Sequence, residues 1–255
     1  MRGVERLETD EIRKLAALEG THWWYRERRA LLARALRRLA KAGRPPGTAL
    51  DIGAAGGGNT RVLRERGWRA VAVEYNADGA ELTRQRGLDV VRADARCLPF
   101  SSASLDLVVA FDVLEHIEDD DVAAAEIRRV LRPGASALIA VPCDMRLWSA
   151  HDEAVGHVRR YDRPGLLRLM AKAGLEVDSL GSWNVLLCPA AVWRRRRASG
   201  SDLDHLPRVV NLGLSAVIAA ERYLPVTSLP GVSLMLRAHR PAGADPAFRA
   251  QPPSS

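Results

Sequence analysis

Ala49-Leu50-Asp51-Ile52-Gly53-Ala54-Ala55-Gly56-Gly57-Gly58-Asn59-Thr60 is the stretch whose reading decides the fold. An apolar strand candidate, Ala49 to Ile52, enters a glycine-rich turn, and Asn59 opens a helix that runs to Arg66. Glycines let a backbone approach a ligand closely, and a helix N-terminus presents unpaired N–H groups. The turn is not the phosphate loop GxxxxGK[ST], because no lysine follows. It also fails GxGxxG, because two alanines separate Gly53 from Gly56.

Outward from this turn, short apolar runs alternate with helical periods. Strands are expected at Ala70–Glu74, Val90–Arg92, Leu105–Phe111 and Ala135–Val141. Helices are expected at 77–86, at 121–131 with a stop at Arg132-Pro133-Gly134, and at 163–173 with a stop at Gly174. Such alternation predicts a doubly wound, mostly parallel sheet. Upstream, the block up to Gly43 reads as helix, with Leu31, Leu32, Ala35, Leu36 and Leu39 near one face, before Arg44-Pro45-Pro46-Gly47 breaks it. Downstream, Val209 to Leu224 reads as an apolar helix and Val232 to Leu236 as a last strand.

Ligands of open α/β sheets sit beyond the carboxyl ends of the strands. Acids cluster at those ends. Glu74, followed by Tyr75, ends the second strand, where a carboxylate can accept from both ribose hydroxyls. Asp94-Ala95 follows the third strand, and Phe111-Asp112-Val113-Leu114-Glu115-His116 carries the fourth into a polar turn.

These segments resemble the class I S-adenosylmethionine-dependent methyltransferases of the small-molecule type. Asp51-Ile52-Gly53-Ala54-Ala55-Gly56-Gly57 is similar to the family's Asp/Glu-x-Gly-x-Gly-x-Gly motif, with Ala55 in place of the middle glycine. The resemblance covers about Thr48 to Val141. It implies a Rossmann-like, seven-stranded α/β fold and S-adenosyl-L-methionine as cofactor. It also implies that Asp51, Gly53, Ala55 and Gly57 form the cofactor turn, that Glu74 lies at the ribose and that Tyr75 beside it lines the cofactor site. Asp94 and Ala95 then lie next to the adenine, and Phe111 and Asp112 line the methionine side. His22-Trp23-Trp24-Tyr25 and the stretch from His151 to Tyr161 resemble segments of one branch of the superfamily.

On this reading residues 1–240 form one domain: a helical N-terminal cover (1–46), a cofactor-binding core (47–182), a helical insert over the substrate (183–225) and a last strand (226–240). A disordered tail (241–255) follows. His151, His157 and His116 are the candidate general bases, because they follow strands whose ends face the reacting methyl group in this architecture. Their loop is equally readable as a salt-bridged structural element. Two histidines and two acids after the fifth strand have loose spacing for a metal, and methyl transfer needs none, so no metal is expected. The Trp23-Trp24 pair reads as core packing or as a cover for the cofactor mouth.

The expected acceptor is a small molecule, a sugar or a lipid. A nucleic-acid (RNA) methyltransferase is the first alternative, raised by the net charge of +7. Only Lys14, Lys41 and Lys172 are lysines, however, so the other 35 basic residues are arginine, a bias that points to a GC-rich coding sequence. No Asn/Asp-Pro-Pro-Tyr/Phe segment is present to hold a flipped base, and Cys143, after Pro142, follows the fifth strand rather than the fourth. A non-catalytic protein retaining the fold is the second alternative, opposed by the intact turn and Glu74. The charged N-terminal segment and the lack of any uncharged 18-residue apolar run predict a cytoplasmic protein. The apolar insert with its Arg194–Arg197 run allows peripheral contact with a membrane. Cys97, Cys143 and Cys188 are expected to be small core fillers in a reduced compartment.

Overall fold

The computed structural model describes residues 19–195 and 207–242. Seven strands form one sheet in the order β3-β2-β1-β4-β5-β7-β6. They are β1 (Thr48–Ile52), β2 (Arg69–Glu74), β3 (Val90–Arg92), β4 (Leu105–Phe111), β5 (Leu131–Pro142), β6 (Glu176–Trp183) and β7 (Ser233–His239). The first five run parallel, and β7 lies antiparallel between β5 and β6. Parallel strands buried on both faces need near-continuous apolar runs. Leu107, Val108, Val109 and Ala110 of β4 meet that demand, each at most 1% exposed.

Helices cover both faces. On one face α1 (Trp23–Lys41) and α2 (Gly58–Glu65) bury Leu32, Leu36, Leu39, Val62 and Leu63 against alternate residues of β1 and β4. On the other, α4 (Asp120–Val130) and α6 (Arg163–Lys172) bury Ala123, Ala124, Ile127, Leu166 and Met170, with the short α5 (Ala150–Ala154) between them in sequence. Between β2 and β3 runs α3 (Ala77–Gln85), started by Asn76, whose side chain accepts from the backbone N–H of Asp78 and Gly79.

Three expectations are corrected. The Arg132-Pro133-Gly134 stop is not a turn ahead of β5. Leu131 already pairs with Leu105 and Ser136 pairs with Leu107, so the intervening residues bulge within one continuous strand. Trp183, assigned to the insert, ends β6 instead, and packs with Trp23 and Ile218. The insert contributes α7 (Cys188–Arg195) and α8 (Arg208–Glu221), and α8 packs both on α1 and, through Ile218, on Trp183 at the end of β6. Asn211 accepts from the Trp23 N–H at 2.7 Å, and Glu221 accepts from three successive backbone N–H groups, at Asn184, Val185 and Leu186. Cys97 is exposed and Cys188 only half-buried, so neither fills the core, while Cys143 is half-buried against the main core cluster. Within the N-terminal cover, residues 1–18 lie outside the described residues, as do Arg196 and Arg197, the Asp202–Leu206 connection and the tail from 243 onward. No helix among the described residues is long and apolar enough to cross a membrane.

Candidate active site

The glycine turn is held by its own backbone geometry. Gly53 and Gly57 take φ +68° and +79°, where a Cβ would meet Val113 Cγ2 at 2.5 Å and Leu88 Cδ1 at 2.4 Å. Side chains at these positions would therefore be both strained and obstructed. Ala55 also takes a left-handed conformation, φ +47°. Replacing the middle glycine has kept the turn, at a cost of about 1–2 kcal/mol for an L-residue in that region. Two contacts hold it there: the Ala55 N–H donates to Glu74 Oε2 at 2.7 Å, and the Thr83 hydroxyl donates to the Ala55 carbonyl at 2.8 Å.

Asp51, at the end of β1, is fully buried. Its Oδ2 accepts from the Thr60 hydroxyl at 2.6 Å, while Oδ1 has no hydrogen-bond partner. Burial pushes the carboxyl up to about 7, against the opposing pull of the Thr60 hydrogen bonds. Glu74 is 8% exposed and accepts from the N–H groups of Ala55 and Asn76. A carboxylate has about four acceptor sites, so about two remain for the hydroxyls of a ribose. Tyr75 beside it is 68% exposed, an aromatic face open to a flat ligand. Asp94 is instead engaged by Arg96, which donates to both of its carboxylate oxygens and also reaches Asp119. The Arg96 hydrogen bonds outweigh desolvation and hold the Asp94 carboxyl below the ordinary range. Ala95 next to it is buried. Glycine cradle, orphaned carboxylate oxygen and spare acceptor capacity on Glu74 together fit an adenosyl cofactor with a cationic amino acid end. In that pose Asp51 would face the ammonium, Glu74 the ribose and Tyr75 the adenine.

The segment after β4 borders the glycine turn through Val113. Phe111 is 6% exposed, and Asp112 takes φ +56° and pairs with Arg28. Sequence reading missed Arg28. It projects from α1, is 4% exposed, and its guanidinium lies 5.1 Å from the Phe111 ring centroid and 5.4 Å from that of Trp183. Glu19 was missed as well. It lies where a Gly58 Cβ would project and pairs with Arg86, so the N-terminal segment reaches the glycine turn.

Three residues beyond Val113, which touches the glycine turn, the predicted histidines come together. The His116 and His157 ring centroids are 4.7 Å apart, and those of His151 and His157 are 6.2 Å apart. His116 has a lowered pKa through desolvation first and the His157 ring second, opposed by its hydrogen bond to the Gly156 carbonyl and by the Asp112 charge. Much of the surrounding loop is structural. Arg160 and Asp152 form a bidentate pair at 2.8 and 3.0 Å with both side chains at most 1% exposed. Arg159 pairs with Asp120, and the Tyr161 hydroxyl donates to Asp120. Within this frame Asp152 Oδ1 lies 2.7 Å from His157 Nδ1. Burial raises the Asp152 carboxyl, but the hydrogen bonds from His157 and Arg160 outweigh it and hold it well below the usual carboxylate range. Glu115, also missed as a site residue, is fully buried with neither carboxylate oxygen hydrogen-bonded, and burial followed by the Asp112 charge raises its pKa well above the ordinary value. A cavity of about 620 Å³ opens on the other flank of this loop, lined by Asp120, Asp144, Arg159, Tyr161 and Lys172, away from the glycine turn.

Comparison with known proteins converges on one family. A methyltransferase domain model matches residues 24–180. A "probable S-adenosylmethionine-dependent methyltransferase" of Mycolicibacterium smegmatis is 29% identical over 174 residues, covering 66% of this chain and 66% of that protein. A protein of the same description from Mycobacterium tuberculosis is 25% identical over 220 residues, 84% of this chain and 74% of the relative. The fold is shared with geranyl diphosphate methyltransferase in complex with its cofactor (TM-score 0.58, 20% identity, 83% and 85% of the two chains). A methyltransferase from Archaeoglobus fulgidus matches similarly (TM-score 0.56, 16% identity, 83% and 94%). With its seven-stranded Rossmann-like sheet and glycine cradle, the chain belongs to the S-adenosylmethionine-dependent methyltransferases.

Proposed function

We propose that the protein transfers a methyl group to an oxygen of a small, lipid-like or sugar acceptor. The observation that supports this most is the cluster of His116, His151 and His157 one short segment from the glycine turn. An alcohol or phenol must lose its proton during transfer, and positioned basic groups contribute about 10²–10⁴-fold to such steps. A carboxylate or thiolate acceptor would gain nothing from them.

S-adenosylmethionine, when bound, supplies an already activated methyl group. The chain's own work is positioning, which can lower a barrier by about 7–11 kcal/mol. Asp51, Glu74 and the glycine turn orient the donor. Phe111, Asp112 and Arg28 close the site from the α1 side and exclude water. The histidine cluster takes the acceptor on the far side of the methyl group and receives its proton.

A greasy acceptor is favoured by the insert. Val209, Leu212 and Tyr223 of the α8 region are 83%, 69% and 88% exposed, and Trp193 of α7, next to Arg194 and Arg195, is 60% exposed. Apolar side chains beside arginines suit an anionic lipid surface, the peripheral membrane contact expected above. The test is incubation with a trideuteromethyl-labelled donor and separate pools of lipids, sugars, small metabolites and total RNA. Label in a lipid, sugar or small-metabolite product supports the proposal, and label confined to RNA overturns it.

A further inference from the structure

The histidine cluster has a second layer. One ligating atom from each of Glu115, His116 and His157 lies within 4.8 Å of those of the other two, and His157 Nε2 is 3.8 Å from Glu115 Oε1. The tautomers of both rings follow from their neighbours. His157 Nδ1 faces the Asp152 carboxylate, which only accepts, and His116 Nδ1 faces the Gly156 carbonyl at 3.3 Å, which also only accepts. Both Nδ1 atoms therefore donate, and in the neutral rings both Nε2 atoms keep a lone pair. A carboxylate or carbonyl behind the imidazole N–H is the arrangement that orients histidine ligands in metal sites. Glu115 adds a fully buried carboxylate with no hydrogen bond to either oxygen, a costly group to leave without a partner.

We infer that Glu115, His116 and His157 form a binding site for a divalent first-row transition ion beside the acceptor position. Two imidazoles and one carboxylate favour ions such as zinc, cobalt or manganese over magnesium or calcium, which prefer all-oxygen sets. Bonds of about 2.0–2.2 Å require the three donors to draw together by roughly an ångström. Three protein ligands leave positions open for an acceptor oxygen, and a bound ion lowers the pKa of such an oxygen. That role rests on the oxygen-acceptor reading above, while the site itself does not. With Nδ1 protonated and Nε2 on the ion, His116 and His157 would not take the acceptor's proton, which would pass to His151, the histidine of the cluster outside the ligand set. The inference replaces the expectation of a metal-free site.

Chelator-treated protein titrated with cobalt(II) chloride tests this directly. The expected result is one saturable site per chain with ligand-field absorption of a mixed nitrogen and oxygen set. Glu115→Gln and the more exposed His116→Ala should each weaken binding at least about tenfold, within the range seen when a metal site loses support. Circular dichroism checks that both variants remain folded. His239→Ala, which alters the remote surface pair with Asp178, should bind as the unaltered protein does. No saturable site, or a site lost in His239→Ala and intact in Glu115→Gln, overturns the inference. Cofactor titration on the same samples keeps the two readings apart. Metal binding without methylation of any hydroxyl compound sinks only the acceptor assignment, and methylation by protein with no saturable metal site sinks only the ion.

Discussion

The glycine turn and the histidine cluster follow adjacent strands, β1 and β4, yet they are built in opposite ways. The turn is a backbone object. Its shape comes from residues within one stretch, 51–60, plus Glu74 from the next strand and Thr83 from the helix that follows it. The cluster is a side-chain object. It needs Glu115 and His116 from one segment, His151, Asp152 and His157 from another, and Arg160 to hold the carboxylate in place. On the proposed reading the first holds the methyl donor and the second serves the acceptor.

If this contrast is right, damage to the side-chain half should be the most severe. Asp152→Asn removes the charge from a buried pair and leaves Arg160 without its counter-ion, a loss of about 3–5 kcal/mol. Thermal unfolding should show it. The carboxyl has a depressed pKa in the folded chain, so its stabilisation is present above the ordinary carboxylate pKa and is lost as pH falls through the folded value. The gap between the two proteins should therefore persist at neutral pH and close only in strong acid. A gap that is constant down to strong acid would mean the pair contributes little.

Turnover comes next. His116→Ala should lower kcat by about 10²-fold and leave cofactor affinity alone. Equal losses in both would make the cluster structural and erase the division between the halves.

Asp51 probes the backbone half, with a smaller effect of opposite sign. Its folded pKa is raised to about 7, so the folded chain resists ionisation and loses stability as pH rises from the unfolded value toward the folded one. Asp51→Asn should raise the melting temperature of the cofactor-free protein at pH 8 by a few degrees, about 1 kcal/mol or more. That gain should vanish near pH 4, and cofactor affinity should fall. Ala55→Gly should do least: relief of a left-handed alanine is offset by the extra freedom of an unfolded glycine, for a net change below about 1 kcal/mol. A large loss would show that the methyl group itself is packed in the turn.

The same contrast explains what could be read from sequence. Gly53, Gly57 and Glu74 were legible because their conformations and spacing are written locally, and β2 ends where its alternation ends. Arg28 was not, because it is one of many arginines on α1 and its partner, Asp112, lies 84 residues away. Glu115 looked like another polar residue of a turn, and only burial reveals that its oxygens are unsatisfied. The 151–161 stretch was read as either catalytic or structural. The structure divides it, with Arg159, Arg160 and Tyr161 as braces and His157 braced by Asp152. The insert reads as helical from its apolar pattern, but its docking depends on Asn211 reaching the Trp23 N–H of α1 and Glu221 reaching the backbone at Asn184 to Leu186 after β6.

The most direct measurement is calorimetric titration of S-adenosylmethionine into Glu74→Ala and His116→Ala, with kcat determined on the same preparations. A lost ribose acceptor costs about 1–3 kcal/mol, so Kd should rise roughly tenfold or more in the Glu74 variant. In the His116 variant Kd should stay within about twofold while kcat collapses. An unchanged Kd in Glu74→Ala, or a Kd that rises as much in His116→Ala, would contradict a site divided between a backbone cradle for the donor and a histidine cluster for the acceptor.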